Sequence, residues 1–99
     1  MNTTIQSVHF VASEQLEQFV NLKVSKLVQF HDGILGAETI LKLEKAEAID
    51  NKVAEISVKI PGETLFAKKH ANTFEEATDL ACEALRKQLA KVKEKGNNK

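Results

Sequence analysis

Residues 53–60 alternate strictly, with Ala54, Ile56, Val58 and Ile60 on one side of an extended chain and Val53, Glu55, Ser57 and Lys59 on the other. Such a strand belongs to a sheet with one solvated face and one face that another layer must cover. Two segments have the pattern needed for that layer. From Glu14 to about Phe30, the residues Leu16, Val20, Val24, Leu27 and Phe30 fall within about one third of a helical circumference, and Phe19 and Leu22 widen the stripe on one side. Ser13 is placed to cap the start of this helix, and Gly33 in His31-Asp32-Gly33 to end it in the left-handed conformation.

The second helix has the clearer beginning. Thr73 is its cap, Glu76 stands three residues later in the capping-box position, and Glu75, Glu76 and Asp79 bring negative charge to the first turns, where the helix dipole favours it. Ala77, Leu80, Ala81, Ala84, Leu85, Gln88, Leu89 and Val92 make its inward stripe, and Gly96-Asn97-Asn98-Lys99 reads as a frayed end.

The remaining segments supply the sheet. Thr3 to Val11 is rich in β-branched and apolar types, and Glu38 to Lys45 reads as extended on composition more than on alternation. A polar link from Lys45 to Lys52 ends in a turn-like Asp50-Asn51 pair. In Ile60-Pro61-Gly62-Glu63, proline sets φ for the first central position of a turn and glycine accepts the positive φ of the second, so Thr64 to Ala71 becomes the hairpin partner. The order β-α-β-β-β-α predicts an α+β two-layer sandwich, a four-stranded sheet with two helices side by side on one face. Its α-β-β-β-α portion has the order of double-stranded RNA-binding domains, a likeness of fold only.

With 99 residues there is room for one core, so residues 1–95 are read as a single domain and 96–99 as its tail. Apolar residues are 42% and charged residues 28%, in the range of ordinary globular domains. No apolar stretch approaches the roughly 20 residues that cross a bilayer, and Met1–Phe10 has no basic then apolar leader pattern, so secretion and membrane partners are not expected. The one cysteine, Cys82, can form neither an internal disulfide nor a cysteine-rich zinc site, which fits a reducing cytoplasm.

Catalysis finds no constellation. His9, His31 and His70 sit in separate elements with no ligand spacing between them, no glycine-rich phosphate loop is present, and Cys82 adjoins Glu83 where a nucleophile needs a base. An enzyme, a metal, a cofactor and a small-molecule substrate are all unexpected. Charge points elsewhere. Net charge is zero, from 14 Lys+Arg against 14 Asp+Glu, but the last helix is polarised: Glu75, Glu76, Asp79 and Glu83 lie in its first half, and Arg86, Lys87, Lys91, Lys93 and Lys95 in its second, opposed by Glu94. Arg86, Lys87, Lys91 and Lys93 project away from the apolar stripe, and the first helix adds Lys23 and Lys26, three residues apart, with Lys23 at the stripe's edge. If the helices are neighbours, the two clusters merge into one positive face that can take RNA phosphates. A plain alternative also accounts for the gradient, because basic residues complement a helix C-terminus whether or not they bind anything. Lys68-Lys69 beside His70 either extends that face or guards an edge strand against aggregation.

Four segments together resemble a known family: Lys23-Val24-Ser25-Lys26-Leu27-Val28-Gln29-Phe30, Ile40-Leu41-Lys42-Leu43-Glu44-Lys45, Gly62-Glu63-Thr64-Leu65-Phe66-Ala67, and Ala77-Thr78-Asp79 continuing to Leu85-Arg86-Lys87-Gln88-Leu89-Ala90-Lys91. In the same order and over about the whole chain, they look like the ribosome hibernation-promoting factor and ribosome-associated inhibitor family, also labelled sigma-54 modulation proteins. The resemblance implies a binder of the small ribosomal subunit that occupies the messenger and transfer RNA channel near the decoding centre and silences ribosomes in stationary or starved bacteria. By match to the family's basic positions, Lys23, Lys26, Lys87 and Lys91 would contact ribosomal RNA; Arg86, Lys93 and Lys95 join them on the charge argument.

This chain departs from the family at Thr73-Phe74-Glu75, where an Asp-Met-Tyr-like helix start is common, and at Ala84, where a basic residue is common. It resembles the short form, whose members either promote ribosome pairing through a partner factor or hold ribosomes as inactive monomers; the brief Lys95–Lys99 end leans towards the first. The rival expectations are a protein-interaction module of the sigma-factor modulation type, using the open sheet face, and a general duplex-RNA binder.

Overall fold

A computed structural model describes residues 2–45 and 49–97, with the side chains of the last helix as far as Val92. The chain forms β1 (Asn2–Val8), α1 (Glu14–Ser25), a 3-10 helix (Lys26–Phe30), β2 (Gly36–Leu43), β3 (Lys52–Ile60), β4 (Glu63–Ala71) and α2 (Phe74–Asn97). The four strands make one sheet in the order β1-β2-β3-β4, with β1 parallel to β2 and the other pairs antiparallel. Both helices cover the same face. The α+β sandwich expected from the sequence is therefore the fold observed.

Strand directions fix the helix directions. β1, β2 and β4 run the same way, and α1 and α2 each return from the end of one of them, so the two helices are parallel neighbours. Two contacts confirm it. Lys23 meets Asp79, and seven residues further along both segments Phe30 meets Arg86.

The core lies between the layers. Ala54, Ile56, Val58 and Ile60 of β3 are buried beneath the helices together with Leu41, Leu65, Ala67, Val20, Val24, Leu85 and Leu89. Glu55, Ser57 and Lys59 face the other way, as the alternation requires, but Val53 on that same side is fully buried. Its cross-strand neighbours Lys42 and His70 flank it, and the adjoining His70–Glu44 contact helps to shield it. The open face is thus closed at one end by polar side chains.

Several boundaries differ from expectation for local reasons. The first strand stops at Val8, short of Val11, because His9 turns the chain with a φ of 70°. Ser13 Oγ accepts from the Leu16 N–H, so the predicted cap is real, but the α-helix ends at Ser25 and continues as a tighter 3-10 helix to Phe30. No left-handed glycine ends it. His31 is extended, its Nδ1 accepts from the Gly33 N–H at 2.8 Å, and a Cβ on Gly33 would come within 2.9 Å of the His31 ring. Gly33 serves closeness there, whereas Gly62, at φ 88°, serves the turn. At the end of the polar link, Asp50 has a φ of 59° and Asn51 Nδ2 donates to the Lys45 carbonyl, while residues 46–48 lie outside the described residues.

Thr73 caps α2 through its Oγ1, which accepts from the Glu76 N–H at 3.0 Å. The buried stripe is rotated from the predicted one. Thr78 and Cys82 are buried, while Leu80 is 44% exposed. α2 packs against α1 as well as against the sheet, so its buried arc extends towards α1, at the expense of the side that overhangs edge strand β4. The helix includes Gly96 and Asn97, and Asn98 and Lys99 of the expected frayed end lie outside the described residues. Gln88 Nε2 donates to the Phe66 carbonyl and ties α2 to β4, and the stacked rings of Phe10 and Phe74, 4.3 Å apart, join the β1–α1 connection to the start of α2.

Candidate nucleic-acid interface

Parallel helices align like ends. The acidic first turns, with Glu14 and Glu17 on α1 and Glu75 and Glu76 on α2, lie at one end of the helical layer. Lys23, Lys26, Arg86, Lys87 and Lys91 lie towards the other, where the helix dipoles are negative and cations are favoured. A chain without net charge thereby acquires a basic end.

These cations differ in what they touch. Lys23 is half-buried in the seam between the helices, with Nζ 3.0 Å from Asp79 Oδ1 and 5.5 Å from the centre of the Phe19 ring. Arg86 pairs with Glu83 one turn before it and lies over Phe30, with Cζ 5.8 Å from the ring centre. Hydrogen bonding between the two holds the Glu83 carboxyl below the ordinary carboxylate range and pushes the Arg86 guanidinium up. Lys26, Lys87 and Lys91 are exposed, and no ion pair among the described residues involves them. Lys87 and Lys91 are one helical turn apart on the outward side of α2. The side chains of Lys93 and Lys95, further along α2, lie outside the described residues.

Lys68 and His70 do not extend this wall. Leu65, Ala67 and Ala71 face the helices, so Lys68 and His70 occupy the opposite face of the sheet. There Glu55 lies 3.2 Å from Lys42 and 3.9 Å from Lys68, and His70 Nε2 lies 3.1 Å from Glu44 Oε1. Lys69, exposed on the edge strand, is on the helix side by the same alternation. The open face thus pairs Lys42 and Lys68 with Glu55 and sets His70 beside Glu44, while Lys59 on the same face is exposed and in no ion pair among the described residues.

No group of three or more potential metal-ligating side chains occurs among the described residues. A depression lined by Val8, His9, Lys42, Glu44, Ile49 and His70 among others is at the end of the sheet where both helices begin, away from the basic end. Cys82 is buried in the helical seam. Burial, with a further push from Asp79 and opposition from Lys23, raises its thiol from 9.0 to about 11. The native protein is expected to resist iodoacetamide at neutral pH and to be alkylated once unfolded, as mass spectrometry would show. The shift also has a stability sign. The unfolded thiol ionises first, so this group's contribution to folding is complete below pH 9.0 and is lost as pH rises through about 11.

The sequence family described as Sigma 54 modulation protein / S30EA ribosomal protein matches residues 3–97. The chain belongs to that family. A ribosome hibernation promoting factor of Pseudomonas putida is 30% identical over 95 residues, which are 96% of this chain and 89% of that relative. Among solved structures, a ribosomal subunit interface protein from Coxiella burnetii superposes with a TM-score of 0.76 at 25% identity, covering 91% of this chain and 97% of the other. The N-terminal domain of Thermus thermophilus Protein Y has the same fold, with a TM-score of 0.79 at 24% identity over 93% of this chain and 99% of that domain. Family membership thus accords with the resemblance carried by the two helix segments and by residues 40–45 and 62–67.

The Glu83–Arg86 pair was not anticipated, although residues three apart on one helix carry a local signal that could have found it. The Lys23–Asp79 contact joins residues 56 apart and had no local signal.

Proposed function

We infer that this protein is a ribosome-binding hibernation factor, a translation regulator that grips RNA of the small subunit with the basic end of its helical layer. The observation that carries the reading is the set of exposed cations Lys26, Lys87 and Lys91, brought to one end by parallel helices and unpaired among the described residues. Family membership and the name of the Pseudomonas relative support the same role. The site is the messenger and transfer RNA channel near the decoding centre, in the cytoplasm of stationary or starved cells, with Lys23 and Arg86 in the seam behind the contact and Lys93 and Lys95 continuing along α2.

The action is occupancy and involves no bond making. Each phosphate neutralised by a lysine releases condensed counterions, so affinity falls as salt rises, with a slope of roughly 0.7 to 0.9 per contact in a log–log plot. Contacts of this kind recognise the shape of folded RNA more than its sequence. Sedimentation of a stationary-phase lysate tests the reading: the protein should travel with small subunits at low salt and be released at high salt. Absence from ribosomal fractions at low salt would defeat it and turn attention to the open sheet face and a protein partner.

A further inference from the structure

We propose that Asp79 is a positioning residue for RNA binding: by holding Lys23 it pins α1 to α2, sets Lys26 on the wall shared with Lys87 and Lys91, and keeps Lys23 itself out of the phosphate contacts. This deepens the reading above and rests on it.

Lys26 is the first residue of the 3-10 helix, a form with poorer hydrogen-bond geometry than the α-helix and eclipsed side chains three apart. The position of such a segment is set by what fastens its flanks. Three residues before Lys26, Lys23 Nζ meets Asp79 Oδ1 at 3.0 Å; four residues after it, Phe30 lies under the Arg86 guanidinium. Lys26 therefore sits between two fastenings, and both of their partners are on α2, the helix that carries Lys87 and Lys91. Among the described residues, Lys23–Asp79 is the only ion pair joining the two helices.

The same geometry occupies Lys23. Its ammonium lies between a carboxylate and the Phe19 ring, and its side chain is 35% exposed. A phosphate approaching it also approaches Asp79. Lys26 and Lys91 carry no such companion among the described residues, and Glu83, whose carboxyl feels the charge of Lys87, is already paired with Arg86, so these three lysines make the contacts that release counterions.

The test measures binding of the intact protein to purified small subunits across a salt series. Lys26→Gln, Lys87→Gln and Lys91→Gln should each flatten the log–log slope by roughly 0.7 to 0.9. Asp79→Ala should weaken binding about two- to fivefold at every salt with the slope unchanged, the range expected of an exposed ion pair. Lys23→Gln should do the same, the combined variant should lose nothing more, and Asp79→Glu should restore affinity. Tighter binding by Asp79→Ala, with the slope steeper by roughly one, would overturn the proposal, because Lys23 would then be a phosphate contact that Asp79 merely neutralises. So would lower thermal stability with unchanged affinity. Failure of the wild-type protein to bind, or no response to the Lys26, Lys87 and Lys91 variants, removes the ribosomal reading itself and is distinct from both outcomes.

Discussion

Replacing Lys87 and Lys91 together by glutamate is expected to weaken association with the small subunit by on the order of a hundredfold or more, since charge-assisted contacts are worth about 1.5 kcal/mol or more each and the reversed charges repel phosphate. Fold stability should hardly change. Both side chains are exposed and outward, and neither has an ion-pair partner among the described residues. The measurement is cosedimentation or filter binding at two salt concentrations, paired with thermal unfolding of the same variant. Wild-type affinity in a folded double variant would mean that RNA meets another surface. If affinity and stability fall together, the variant has disturbed the fold and the separate Lys87→Gln and Lys91→Gln variants decide.

The second large effect is in the core. Leu85 is fully buried in α2 where it faces the sheet, so Leu85→Ala removes apolar contact and leaves a cavity. The expected cost is about 2–5 kcal/mol. Domains of this size are stable by only about 5–15 kcal/mol, so the thermal midpoint should fall by roughly 10 to 30 °C. Urea unfolding should show a lower midpoint with a similar slope. A loss under about 1 kcal/mol would mean that this part of α2 is loosely packed, contrary to its burial. Leu80→Ala, on the exposed side of the same helix, is the control and should cost far less.

How much of this was legible in the sequence depended on how local each feature is. The alternation of Ala54, Ile56, Val58 and Ile60, the caps at Ser13 and Thr73, and the Pro61-Gly62 turn all act within a few residues, and each appears in the structure as read. Failures came where a second element intervened. Thr78 and Cys82 are buried because α1 lies beside α2, and a single helical wheel cannot register a neighbour. Val53 is buried because residues from β2 and β4 flank it. Gly33 was expected to cap a helix, but the helix ends at His31, whose backbone is extended and whose ring accepts from the Gly33 N–H. At the candidate site the residue types and the end of the molecule were readable, since the charge gradient along α2 is continuous in the chain. The differing surroundings of those cations were not, because Asp79 faces Lys23 and Phe30 faces Arg86 across the fold.

Alignment of two like-directed helices also bears on how a molecule of zero net charge finds a polyanion. With no overall charge, long-range attraction is absent, and at physiological ionic strength fields fade over about 8 Å. Within that distance the separated acidic and basic ends generate a torque. Such a torque would turn the lysine-bearing end towards a polyanion and the glutamate-bearing end away from it. A net charge of zero, by the same reasoning, supplies little general attraction to nucleic acid.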